Sequence, residues 1–262
     1  MSSNYLSKMK YFILSLIPFN LFCQNFRPYE QKLVSLYDSV KHYSYFGVGN
    51  NYDKQQYYLK KFENGLLNLT SKIPRSISHS FDSLKTRGIQ IVTSKDLLVR
   101  GYSWSTFSGG TASDDNRLIQ YLTKDTVCAQ LTSVNYESNW SYWFSDMEQL
   151  KIDGKPVYFF RAHSMASSKD ALEGYLAYTF EDHKLKEYRV FQYENNVHSH
   201  EYFLEYNFFS VVDRKERPIK LLKLNKKKLT IPQTDTENKV VRGKITKKFD
   251  NGFYQIDEAY TF

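Results

Sequence analysis

The segment Ser103-Trp104-Ser105-Thr106-Phe107-Ser108-Gly109-Gly110-Thr111, with Asp114, Asp115 and Asn116 close behind, collects residue types that recognise polar ligands. Paired glycines let a backbone approach a ligand closely, and serve a tight structural connection equally well. Trp104 offers a stacking surface, and Asp114 or Asp115 offers acceptors for a sugar or a cation. Calcium needs about six or more oxygens, and no EF-hand spacing occurs here, so no metal is expected.

A second candidate is aromatic. Trp140, Tyr142, Trp143 and Phe144, with Tyr136 upstream, either stack on a sugar or peptide from a loop or pack as core or lid. The candidate ligand-binding residues are therefore Trp104, Gly109, Gly110, Asp114, Asp115, Trp140 and Trp143.

Signs of catalysis are thinner. On a strand His198 and His200 share a face, but zinc needs a third ligand from His163, His183 or a carboxylate. With no H-E-x-x-H and no cysteine cluster, they read as solvated hairpin histidines. No G-x-S-x-G elbow appears, and His163-Ser164 with Ser167-Ser168 reads as a polar turn. Paired carboxylates are defined by a spatial separation that sequence does not give. There is no phosphate loop and no dinucleotide fingerprint, so no cofactor is expected and no catalytic residue is named.

The elements that must position these residues change character near Gly88. Leu33, Leu36, Tyr37 and Val40 fall at helical spacing, as do Tyr58, Phe62, Leu66 and Leu69, with Gly47 to Asn51 as the turn between two helices and Pro74 ending the second. From Gly88 the period is two, with Asp153-Gly154 as the clearest type I′ hairpin signal and Glu181 to Lys184 as another turn. Strand follows strand without crossover helices, which predicts an antiparallel meander. The expected fold is α+β, with a helical preface over 24–86 packed on a β-rich domain over 87–262 that is open, sandwich-like or barrel-like. The 22 tyrosines and 19 phenylalanines fit a sheet-based core.

Residues 1–23 carry the order of a secretory signal: Lys8 and Lys10, then Tyr11 to Ile17, Pro18 and Cys23. The apolar run falls short of the ~20 residues that span a bilayer. Cleavage after Cys23 leaves Cys128 unpaired and excludes an intramolecular disulfide. In the alternative, Cys23 becomes a lipid-anchored first residue, against which the bulky Phe22 argues. The net charge of +8 includes Lys8 and Lys10 and is otherwise scattered, with Lys226 to Lys228 and Lys247-Lys248 as small clusters. Export and that scatter exclude nucleic acid as a partner.

The chain resembles uncharacterised exported bacterial proteins, typical of Bacteroidetes, that join a signal peptide and helical preface to a strand with a Ser-Trp-(Asp/Ser)-Thr-x-x-Gly-Gly-Thr element. Here that element is Ser103 to Thr111, followed later by Ile231-Pro232 and a terminal strand pair around Phe249 to Phe253. Ser105 stands where Asp is expected, which removes an acidic member of the loop. The resemblance implies a fold and an address, and no reaction. The sequence thus reads as an exported, periplasmic or extracellular binding or accessory module of the cell envelope, for a glycan, peptide or envelope protein. The alternatives are a hydrolase of envelope or extracellular polymer and a subunit of a larger envelope assembly.

Overall fold

The computed structural model describes residues 26–110, 112, 114–124, 126–132, 141–193 and 196–256. The expected secretory segment and the lipidation position Cys23 lie outside them.

The two apolar stripes build the first layer. Helix α1 (Arg27–Tyr43) buries Leu33, Tyr37 and Val40, and α2 (Tyr52–Lys72) buries Leu59, Phe62, Leu66 and Leu69. Asn51 caps α2 by accepting the Lys54 N–H at 3.0 Å, and Pro74 opens a 3-10 turn over Pro74–Ser78. A short helix α3 (Asp82–Lys85) follows, its first N–H groups from Ser83 and Leu84 donated to the buried Glu30 carboxylate of α1.

Beyond Gly88 the chain forms fifteen described strands in three sheets. Sheet I is the expected meander of β1 (Gln90–Thr93), β2 (Val99–Ser105), β3 (Asp115–Leu122) and β4 (Val127–Thr132). Sheet II has β5 (Trp143–Ile152), β6 (Lys155–Met165), β7 (Asp170–Glu181), β8 (Lys184–Glu187) and β11 (Glu201–Asn207), in the order β11-β7-β6-β5 with β8 continuing beside β7. Sheet III gathers β9 (Phe191–Gln192), β10 (His198–Ser199), β12 (Lys223–Asn225), β13 (Lys228–Thr234), β14 (Val240–Asp250) and β15 (Phe253–Ile256). Every described pairing is antiparallel except β15 with β9.

Strand alternation stacks these elements as four layers. On β2, Tyr102 and Trp104 face the helices, while Val99 faces sheet II. On β6, Tyr158 and Phe160 meet sheet I, while Val157 and Phe159 meet sheet III. Sheet II is thus covered on both faces. That explains why Val157–Ser164 is buried without interruption rather than alternating. The Asp153-Gly154 turn between β5 and β6 has positive φ at both residues, as type I′ requires. Among the described residues, no helix is long and apolar enough to cross a membrane.

Candidate functional site

The β2–β3 connection holds the first group of expected site residues, and its polar groups are used internally. Thr106 donates its N–H to the Asp114 carbonyl at 2.8 Å and its hydroxyl to the Asp114 carboxylate at 2.9 Å. The helices pin the same turn: Gln55 donates to Thr106 O at 2.8 Å, and the Tyr37 hydroxyl donates to Ser105 O at 3.0 Å. A Cβ on Gly109 would lie 2.2 Å from the Ala112 carbonyl, so that glycine serves the chain's own crossing, whereas Gly110 faces open space. Trp104 is 1 % exposed, with its ring 5.5 Å from Phe62 of α2. It therefore fills the core between α2 and sheet I and has no face for stacking on a ligand. Glu63 lies near it, its carboxyl raised by burial against donation from the Asn116 amide at 2.5 Å.

The second expected group meets the first, though not through its tryptophans. Asp115 is buried; its N–H donates to Ser141 Oγ at 2.5 Å, and that hydroxyl donates to Asp115 O at 3.0 Å. Arg117 donates to Tyr142 O at 2.9 Å with its guanidinium 3.7 Å from the Tyr142 ring, and Phe144 N–H donates to Ser103 Oγ at 2.9 Å. Trp143 points the other way, stacked 5.8 Å from His163 on the sheet II face turned from sheet I. Sheets I and II lie between Trp104 and Trp143, which cannot share a platform. Trp140 and Thr111 lie outside the described residues.

The histidines separate too. His198 stacks on Phe253 at 3.8 Å, while His200 lies 3.5 Å from Glu187 and 4.0 Å from Glu201. No three His, Cys, Asp or Glu side chains among the described residues are grouped to hold a metal ion. His163 and Ser164, expected in a polar turn, are instead buried within β6, because the strand runs on to Met165.

The most perturbed titratable groups surround that strand. Arg161 pairs with the buried Glu173 and, at 3.2 Å, with Glu148, which also accepts the Tyr175 hydroxyl at 2.7 Å. Glu173 accepts the backbone N–H groups of Leu221 and Leu222, and Arg161 donates to Leu222 O at 2.9 Å. Burial outweighs these donors and raises the Glu173 carboxyl to about 6; burial, Arg161 and Lys220 lower His163 to about 3. Such shifts often mark active sites, but here the chain's own backbone at 221–222 takes the place a ligand would occupy. The cluster clamps the lead-in of β12 to sheet II.

A concave apolar surface is open on the solvent side of the helical layer. A groove of about 540 Å³ runs between α1 and α2, lined by Leu33, Leu36, Leu69 and Ile73 with Tyr29 at its margin. Lys32, Lys61 and Lys72 stand on its rim, all exposed and none in an ion pair among the described residues. Gly65 makes the room: a Cβ there would come within 3.1 Å of Leu33 Cδ2. A mid-helix glycine costs about 1 kcal/mol relative to alanine, so its use here needs a packing or binding reason. The sequence carried the signal: Tyr29, Lys32, Leu33 and Leu36 on α1, and Lys61, Gly65, Leu69 and Lys72 on α2, each repeat at helical spacing. A larger hollow of about 890 Å³ between α1 and α3 is shallow and of mixed polarity, with the Asp38–Arg87 ion pair at 2.9 Å among its lining residues. Comparison with protein-family models, curated proteins and solved structures finds no match.

Proposed function

We propose that the protein is an exported binding module of the cell envelope whose α1–α2 groove holds an anionic amphiphile, an apolar chain ending in a carboxylate or phosphate. The composition of the groove carries this reading: leucines and an isoleucine along its floor, three ammonium groups at its rim with no carboxylate partner among the described residues, that of Lys61 resting 4.2 Å from the Tyr57 ring, and a glycine where a side chain would fill it. Its volume lies within the ~300–1,000 Å³ usual for small-molecule sites. Apolar contact supplies most of the affinity at about 25 cal/mol per Å² buried, and the lysines select a negative head group over a neutral one. Export is supported by the basic-then-apolar order of residues 8–17 and by the resemblance to exported bacterial proteins. A glycan- or peptide-stacking surface finds less support, because Trp104 is buried in the core and Trp143 is half-buried with its ring stacked on His163.

Calorimetric titration with dodecanoate and dodecyl phosphate, against dodecanol and butyrate as controls, tests the reading. Saturable one-to-one binding of both anions is expected, with weak binding of the controls. Gly65→Leu should abolish it, and replacing Lys32, Lys61 and Lys72 by Gln should weaken it and remove its salt dependence. Equal binding by the Gly65→Leu variant would overturn the reading.

A further inference from the structure

At the opposite end of the helical hairpin from the groove, the α1–α2 turn carries Tyr45, Phe46, Val48 and Tyr52 with 73, 77, 96 and 68 % of their surfaces exposed. Four large apolar or aromatic side chains so close together in sequence, each more than two-thirds exposed, exceed the scattered single hydrophobics of an ordinary surface. The turn that presents them is built to hold its shape. Gly47 N–H donates to Ser44 O, Gly49 N–H to His42 O and Asn51 N–H to Tyr43 O, each at 2.9 Å. A Cβ on Gly47 would lie 2.2 Å from the His42 carbonyl, so the loop is folded back against the end of α1. The Tyr45 and Phe46 rings meet edge to face at 5.0 Å. Cations stand behind the tip: Lys41 in the last turn of α1, and Lys54 in the first turn of α2, 5.1 Å from the Tyr43 ring.

We propose that this aromatic tip docks the protein on an anionic lipid bilayer, with Phe46 and Val48 entering the acyl boundary, Tyr45 and Tyr52 at head-group depth and Lys41 and Lys54 on the phosphates. The tip's shape favours this occupant. Side chains exposed to this degree project outward, so the tip offers no cleft to a small ligand. A projecting turn also buries little area against a second copy of itself, whereas the deformable interface of a bilayer closes around it. Tyrosine suits that position because its ring is apolar and its hydroxyl stays wet, and lysines nearby add attraction to anionic head groups.

The inference does not rest on the groove, and its test keeps the two apart. Flotation of the full mature chain with vesicles of phosphatidylglycerol and phosphatidylethanolamine is compared with flotation on pure phosphatidylcholine. Strong binding to the anionic vesicles is expected, falling at least tenfold in the Phe46→Ser/Val48→Ser double variant and severalfold in Lys41→Gln/Lys54→Gln. Both variants should melt at the wild-type temperature, since the altered side chains are exposed, and Gly65→Leu should float like the wild type. Equal flotation of wild type and the Phe46→Ser/Val48→Ser variant would overturn the proposal. So would a wild type that ignores vesicles but self-associates in sedimentation through the same two residues, which would assign the tip to a second copy.

Discussion

Sheet II and the helical hairpin spend their charged and apolar groups in opposite ways. Around β6 the guanidinium of Arg161 and the carboxylate of Glu173 are buried and consumed by each other and by the backbone of Leu221 and Leu222. On the outer side of α1 and α2, leucines line an open groove, lysines stand without carboxylate partners, and aromatic side chains project at the turn. Perturbed titration and burial, taken alone, would place a site at Glu173 and His163. The contrast teaches that a perturbed group whose hydrogen bonds are already filled by the chain is a fastening, while charged groups facing solvent around an apolar hollow are available to a ligand.

The largest effect that would sharpen this contrast comes from breaking the clamp. Arg161→Met leaves Glu173 buried beside backbone donors without its cation, and should cost about 3–5 kcal/mol in chemical denaturation. Binding at the groove should survive at temperatures where the variant remains folded. Trp104→Ala opens a cavity between Phe62 and Tyr102, with an expected loss of about 3–5 kcal/mol and no change in ligand affinity per folded molecule. A loss of affinity without loss of stability would return Trp104 to the binding surface.

The pH dependence should also divide the molecule. The unfolded chain protonates His163 near its ordinary 6.5, whereas the folded chain does so only near 3, so this group's stabilising contribution is full above 6.5 and is lost as pH falls toward 3. Glu173 acts oppositely: its folded carboxyl titrates near 6 against an ordinary 4.5, so its contribution declines as pH rises through that window. Between 4.5 and 6 the two oppose, and below 4.5 the His163 loss stands alone. Urea midpoints should therefore fall most steeply between pH 4.5 and 3, and His163→Gln should flatten that limb. The smallest stability changes belong to the helical hairpin. Gly65→Leu crowds only the flexible end of Leu33 and gains helix propensity, so its unfolding free energy should move by less than about 1 kcal/mol while groove binding disappears.

The helical layer was legible because one face of each long helix is covered. Leu33, Tyr37 and Val40 gave α1 its stripe, Phe62, Leu66 and Leu69 gave α2 its own, and Asp153-Gly154 marked its hairpin through its demand for positive φ. The sheet order was not legible, since strand periodicity says that a face is buried and not which neighbour buries it. His163-Ser164 was misread as a turn because a strand covered on both sides shows no alternation, and polar residues inside it look like a strand's end. Among the candidate site residues, Trp104 and Asp115 stood out for their types, yet type alone does not distinguish a platform from a core residue. The groove was missed for the converse reason: Lys32, Lys61, Gly65 and Lys72 are individually ordinary on a helix, and their meaning comes from two helices lying side by side.

The most direct measurement is amide chemical-shift mapping of the isotopically labelled chain from Gln24 onward during titration with dodecanoate. The account predicts saturable shifts clustered at Leu33, Leu36, Gly65, Leu69 and Ile73, with Gly109, Gly110 and Asp114 unmoved. Shifts centred on the 105–114 connection, or on the strands around His163 and Glu173 with the groove silent, would contradict it.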